Sequence, residues 1–417
     1  LDPFWSSQWS YRKPITIDNT AEATTTEQQV FIELTSSESN FWSNVNSDGS
    51  DIRFIRETPG NESSWYHTSW SGRVPLTIQS SQIDSDLTNF PIYVDLADLG
   101  SDFWGSVESD GADIRVTASD GVTEVPIDLV SINTGTDTGE LHFLASSTLS
   151  SSADTTFYVY YGNTEANLYA ATSTYGSENV WNSNYLAVYH LEEAVAGRGT
   201  ADLYQDSTNN DYDGDDQLLS NGKSGKVGQG QEVDAQGDAN EYILLPSDIV
   251  NSETELTFSY WMLSSEGTDQ ALINGGSGNE YLIFIQSGGT TMNLFPGGSF
   301  TIDDLSVSPQ WRHITVSRDT GNNEWRVFVD GVEDNDSPHS QSLSTLSIPA
   351  NCLVIGLEQD TSCLNSGDTS QHLNATIDEM RFQDVVPDAD WVSATFRNQS
   401  TTTDFYATTS SELLQTT

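Results

Sequence analysis

The chain has 417 residues, 35% hydrophobic and 10% aromatic, with 11 Trp, which supports several packed cores and excludes a disordered chain. Lys+Arg number 14 against 62 Asp+Glu, a net charge of −48. That balance excludes a nucleic-acid binder, because phosphate contacts need clustered basic side chains, and it suits a protein kept soluble by charge or one that takes up cations.

Periodic segments in chain order are almost all of period two. PITIDNT, QVFIELT, PLTIQSS, FPIYVDL, TTFYVYYG and WRVFVDG are rich in Val, Ile, Thr, Phe and Tyr. Clusters of Gly, Asn, Asp and Ser separate them, which predicts an all-β protein. Two stretches recur. WSYRKPITI (Trp9–Ile17) is echoed by WSGRVPLTI (Trp70–Ile78), and FWSNVNSDGSDIRF (Phe41–Phe54) by FWGSVESDGADIRV from Phe103. Residues 1–60 therefore read as a first copy of a repeat, and 61–166 as a second. The second copy adds EVPIDLV, GELHFLAS and TTFYVYYGN, which the first lacks. Half a sandwich leaves a sheet face and strand edges unpaired. Packing within the chain would cover them, and so would strand exchange between subunits. In the repeated DG-x-D turn, Asp48, Gly49 and Asp51 persist as Asp110, Gly111 and Asp113 while their neighbours change. This points to a tight turn with Asp caps in preference to a calcium loop.

A connector, 167–182, leads to a third region at 183–400, and a polar tail, 401–417, is expected at the periphery. One helix is predicted, over Asp388–Asn398. The two cysteines, Cys352 and Cys363, are a disulfide candidate in an oxidising compartment. No apolar run reaches the length of a membrane span, so no membrane insertion is expected.

AVYHLEE, DSTNNDYDG, KVGQGQEVD, YILLP, LTFSYWM, WRHITVSRD, WRVFVDGV, LVIGL and ATIDEMRF follow one another from Leu186 onward. In that order they resemble the concanavalin A-like, laminin G-like family, whose fold is a jelly-roll sandwich. The second repeat has a W-x-x-R-x-P start, a DG-x-DIR middle and a YYGN end. It resembles an uncharacterised domain of bacterial and archaeal surface proteins that is often followed by a laminin G-like domain. The expected fold class is thus all-β: a tandem β-sandwich repeat with a truncated first copy, then a laminin G-like sandwich.

The laminin G-like resemblance implies glycan or protein binding, often with calcium. Hard cations want several oxygen ligands, and DSTNNDYDGDD (Asp206–Asp216) is dense in them. Carried over from the family, Asp378 of the IDE strand pairs with Asp206, helped by Asn209 or Asp211, in a structural Ca2+ site. Tyr281 and Phe295, beside the Gly-rich loops at 274–281 and 295–300, are candidate ligand-binding aromatics. Trp261, Trp311 and Trp325 sit in strand motifs and are expected in cores. His190 and His313 read as half-buried, satisfied histidines. The glycosidase pattern E-x-D-x-x-E is incomplete in EVDAQG (Glu232–Gly237), and no hydrolase, zincin or phosphate-loop motif is present. No catalytic residues are assigned. The expected function is a non-catalytic extracellular or cell-surface protein that binds a glycan or another surface protein. The alternative is a structural subunit of a filament or surface assembly, with the chain itself as partner. A polysaccharide-degrading enzyme ranks behind both.

Overall fold

A computed structural model describes residues 65–193, 198–219, 222–235, 238, 241–264, 269–276, 280–286, 291–302, 305, 310–359, 362–364 and 369–414, with 32, 34, 39–47 and 52 before them. The strands expected in 1–60, Trp9–Ile17 among them, lie outside the described residues. One element of that copy is described, the short helix Ser39–Asn44. It matches the second copy in detail. Phe41 and Trp42 meet edge-on at 5.1 Å and 85°, Phe103 and Trp104 at 5.0 Å and 84°. Val45 N–H donates to Phe41 O, as Val107 N–H does to Phe103 O. The same sequence builds the same turn twice.

Tyr66–Leu413 form one compact all-β unit. Among the described residues its first sandwich has a six-stranded and a three-stranded sheet. In the larger, Gly72–Ile78 pairs antiparallel with Thr155–Tyr161, which pairs in turn with Arg115–Thr117. In the smaller, Thr138–Ala145 lies between Phe90–Asp95 and Ile127–Asn133. The period-two alternation sends Val74, Leu76, Ile92, Val94, Leu141 and Phe143 into the shared core. Each such side chain contributes about 1.5–3 kcal/mol on burial.

In the second copy the motif is a clasp. The Asp113 carboxylate is fully buried and accepts from the backbone N–H of Glu108 (3.0 Å), Gly162 (2.5 Å) and Asn163 (3.3 Å). Trp70 Nε1 donates to Asp113 O at 2.6 Å. Asp110 Oδ1 caps Ala112 N–H at 3.0 Å. Gly111 has φ +67°, and a Cβ there would come within 2.4 Å of Leu129, so only glycine fits. The DG-x-D turn is therefore an Asx-capped turn, as the sequence suggests, and its carboxylates are occupied by backbone donors.

The second sandwich stacks an eight-stranded on a nine-stranded antiparallel sheet, counted over the described residues. Tyr189, Phe258, Tyr260, Ile283, Leu294, Trp325, Ile355 and Phe382 are among its core side chains. Cys352 and Cys363 are disulfide-bonded, with Cα atoms 4.9 Å apart.

The predicted helix is present as Ala389–Ser400. Asp388 caps it by accepting from Trp391 N–H at 2.8 Å. It covers the outer face of the nine-stranded sheet, where Phe396 meets Trp261 and His313. It also reaches the first sandwich. The Asn398 amide accepts from Tyr93 N–H (2.7 Å) and donates to Tyr93 O (2.9 Å), standing in for a strand beside Phe90–Asp95. Residues 401–414 are not peripheral, contrary to expectation. Tyr406–Thr408 pairs with Leu76–Ile78, and Glu412–Leu413 with Gly72–Arg73. Phe405 and Tyr406 are buried in the first core. The polar character of the tail hid this, because a short strand docking on an existing edge needs only two apolar side chains.

His313 lies under this helix, fully buried, and its Nδ1 has no hydrogen-bond partner among the described residues. It is not satisfied, as the sequence reading had it. Burial takes its imidazole down to about 3 from an ordinary 6.5, helped by the charge of Arg381 and opposed by that of Glu379. The folded value lies below the unfolded one, so the unfolded chain takes the proton first. Stability is then full above about pH 6.5 and declines as pH falls toward 3. His313→Leu should move the acid-unfolding midpoint, followed by near-ultraviolet circular dichroism, to lower pH. An unmoved midpoint would show that this histidine is not the acid-sensitive group.

Candidate functional site

Where the two sandwiches meet, strand alternation turns polar side chains toward each other. In Thr138–Ala145, Leu141, Phe143 and Ala145 fill the first core, so Glu140 and His142 face the other way. In Tyr185–Tyr189, Ala187 and Tyr189 point into the second core, which leaves His190, just past the strand, on the outer side. Glu379 reaches the same place through a bulge. Its strand, Asn374–Gln383, slips register against Glu255–Leu263 between Ser259↔Arg381 and Trp261↔Asp378. Glu379 sits in that slip with φ +50°. A non-glycine residue there costs about 1–3 kcal/mol, and bulges re-aim side chains in this way.

The result is a buried network. His190 Nδ1 lies 2.5 Å from Glu379 Oε1 and 3.2 Å from Glu140 Oε1, and its Nε2 lies 3.2 Å from Asp128 Oδ2. His142 Nε2 is 2.9 Å from Glu140 Oε1 and 4.0 Å from Glu379 Oε2. The two imidazole rings are 4.6 Å apart. Arg381 pairs with Glu379 and lies 4.9 Å over the Trp181 ring. Gln399 donates to Glu379 Oε2 at 3.0 Å, and Trp181 Nε1 to Asp128 Oδ2 at 3.0 Å.

Burial and neighbouring charges compete to set the protonation states. Burial pushes Glu140 well above the usual carboxylate range; the hydrogen bond to His190 opposes the rise and the charge of Glu379 adds to it. It takes His142 down to about 3, against the attraction of Glu379. For His190, burial favours the neutral ring, but the charge of Glu379 and the hydrogen bonds to Asp128, Glu140 and Glu379 outweigh it and raise the imidazole well above its ordinary value. For Glu379, burial is outweighed by His190 and Arg381, which hold the carboxyl low. Burial and the charge of Glu379 raise the adjacent Asp378 well above the carboxylate range.

The structure distributes the sequence-predicted site residues differently. Asp206 is saturated by protein donors: its carboxylate accepts from Val188 N–H, Thr208 N–H, Thr208 Oγ1 and Tyr212 N–H at 2.9–3.0 Å. Asn209 and Asp211 are exposed. Asp378 is held by another loop, accepting from Lys226 N–H (2.7 Å) and Val227 N–H (2.8 Å). The proposed calcium set is thus not assembled; Asp206 closes an Asx turn and Asp378 belongs beside Glu379. Tyr281 is a core residue, 1% exposed and stacked on Trp325. Its register with the inward-facing Ile283 and Ile285 excludes it from a surface rim. Phe295 is half-buried on the outer face, packed against Ala271, Leu282 and Phe284. Trp261 and Trp325 are core residues, as expected.

Sequence reasoning missed Glu140, His142 and Glu379, and read His190 as merely satisfied. The available signal was a set of ionisable residues inside strand-like apolar runs: GELHF, VYHLEE and TIDEMRF.

Residues 236–393 match the family model of the concanavalin A-like lectin/glucanases superfamily. Among solved structures, the chain is similar to Trypanosoma rangeli sialidase in complex with sialic acid, at 9% identity and TM-score 0.39 over 62% of this chain and 42% of that one. It is also similar to domain 4 of AbnA, an extracellular arabinanase from Geobacillus stearothermophilus, in complex with arabinotriose. That match has 17% identity and TM-score 0.37, over 50% of this chain and 97% of that one. The botulinum neurotoxin serotype C1 binding domain gives 11% and 0.37, over 52% of each chain. The chain thus spans less than two thirds of the sialidase and of the toxin domain.

Proposed function

We propose that the protein is a non-catalytic, extracellular surface protein whose concanavalin A-like domain binds a glycan on the outer face of its eight-stranded sheet. The observation that carries this is a stripe of neutral polar side chains, bordered by Asp269, at one end of that sheet. Met292 and Leu294 point into the core, so Thr291, Asn293 and Phe295 point out. Register places Gln286 opposite Thr291, Ser299 opposite Asn293 and Thr301 opposite Thr291. Asn293 Nδ2 donates to Gln286 Oε1 at 2.7 Å, and Gln286 Nε2 to Asp269 Oδ2 at 3.4 Å. Amides and hydroxyls beside an aromatic ring, on a chain of net charge −48, suit a neutral polyol. Such a ligand offers hydroxyls to the amides and a C–H face to the ring.

The superfamily match and the disulfide favour the extracellular, lectin-like reading. The ionisable cluster at the sandwich junction does not favour catalysis, since its side chains are at most 8% exposed. A glycan array probed with the whole chain should give hits that Asn293→Ala and Phe295→Ala each weaken about tenfold, the equivalent of one hydrogen bond or one ring contact. A folded protein that binds no glycan, or hits indifferent to both substitutions, would sink the assignment.

A further inference from the structure

We propose that Glu140, His142, His190 and Glu379 bind one divalent transition-metal ion of the zinc class, and that this ion staples the two sandwiches together. The donor atoms of the four side chains all lie within 4.8 Å of one another. Tetrahedral coordination with bonds of about 2.0–2.2 Å needs donors roughly 3.3–3.6 Å apart. The contacts from His142 Nε2 and His190 Nδ1 to the two glutamates, at 2.5–4.0 Å, bracket that spacing. Small side-chain rotations would even them out.

The donor chemistry selects the ion. Two imidazoles with two carboxylates suit zinc and its neighbours, whereas calcium and magnesium ask for oxygen alone. Four protein ligands, all buried, make a closed set of the kind that holds structural metals. His190 is already oriented for the task. With Nδ1 on the ion, its Nε2–H donates to Asp128, whose carboxylate is fixed in turn by Trp181 Nε1. This is the carboxylate–histidine–metal relay that sets ring tautomer and aim.

Charge and hydrogen bonding support the ion independently. Asp128, Glu140, Asp378 and Glu379 are four buried carboxylates, and Arg381 is the arginine buried with them. Fully ionised, these carboxylates outnumber Arg381 and a cationic His190, a balance that a low-dielectric interior tolerates only when a cation or protons compensate. Among the described residues, protein groups also leave the cluster incomplete: Glu140 Oε2 and His142 Nδ1 are buried without a hydrogen-bond partner. The ligands come from distant parts of the chain, two from Thr138–Ala145 of the first sandwich and two from the second. Binding would therefore cross-link them.

The test unfolds the whole chain in urea with a chelator, removes both, and refolds it with Zn2+, with Ca2+ or with no metal. Elemental analysis should find a single equivalent of zinc in the first sample. That sample alone should melt higher than the metal-free one. Co2+ in place of Zn2+ should give the visible bands of a tetrahedral site, absent in His142→Ala. Asp128→Asn, which keeps all four ligands, should weaken Zn2+ binding about 10–100-fold. Folded wild-type protein with substoichiometric zinc overturns the proposal. So does a melting temperature that Ca2+ raises as much as Zn2+, or His142→Ala that binds Zn2+ as wild type does.

Discussion

Truncation after Ser400 is expected to unfold the first sandwich, although the removed residues follow the second domain in sequence. Tyr406–Thr408 and Glu412–Leu413 both pair with Gly72–Ile78, so their loss bares an edge along that strand. Glu412 also pairs with the buried Arg73 at 2.7 Å. Phe405 and Tyr406 leave the core, and Tyr406 OH gives up Asp98 Oδ2 (2.9 Å) and Asp95 N–H (3.0 Å). A single substitution isolates the packing part. Phe405→Ala should cost about 3–5 kcal/mol, a fall of roughly 10 °C in melting temperature for a body of this size. Leu413→Ala, at a side chain 57% exposed, should stay within about 0.5 kcal/mol of wild type. Scanning calorimetry decides the matter. If Phe405→Ala melts with the wild type, the C-terminal strands do not hold the first sandwich.

Arg381→Met should be nearly as damaging, for an electrostatic reason. The Arg381 guanidinium pairs with Glu379 and covers Trp181. Without it, Glu379 keeps one cationic neighbour, His190, among carboxylates. Removing one partner of a buried pair costs about 3–5 kcal/mol, because the other charge stays behind. The double variant Arg381→Met/Glu379→Gln removes that residual charge and should recover part of the loss. Urea unfolding in chelator, so that no bound ion contributes, measures both. Equal stability of the single variant and wild type would mean that Glu379 is neutral in the fold. A double variant no better than the single would place the cost in lost packing over Trp181.

The sandwiches were legible in the sequence because strand formation is local. PLTIQSS, FPIYVDL and TTFYVYYG are rich in β-branched and aromatic residues, and each supplies a strand. The Asp388 cap made the one long helix readable. The DG-x-D turn was readable too, because its Asp110 cap acts within two residues. The calcium set was not, because it required two loops to meet. Asp206 and Asp378 each found backbone donors instead. Tyr281 was misplaced by one alternation, since a strand slipped by a single residue exchanges its faces.

The sequence by itself determined the all-β class, the repeat and its capped turn, the laminin G-like order of motifs, the disulfide pair and the acidic surface. All rest on short-range chemistry or on composition. Only the tertiary structure decided that residues 401–414 return to close the first sandwich, and that Glu140, His142, His190 and Glu379 converge. Strand pairing and docking join residues hundreds of positions apart, and no local pattern encodes which outer faces will meet. What the chain does carry locally is the anomaly: charges set inside apolar strands, which must find one another once water is excluded.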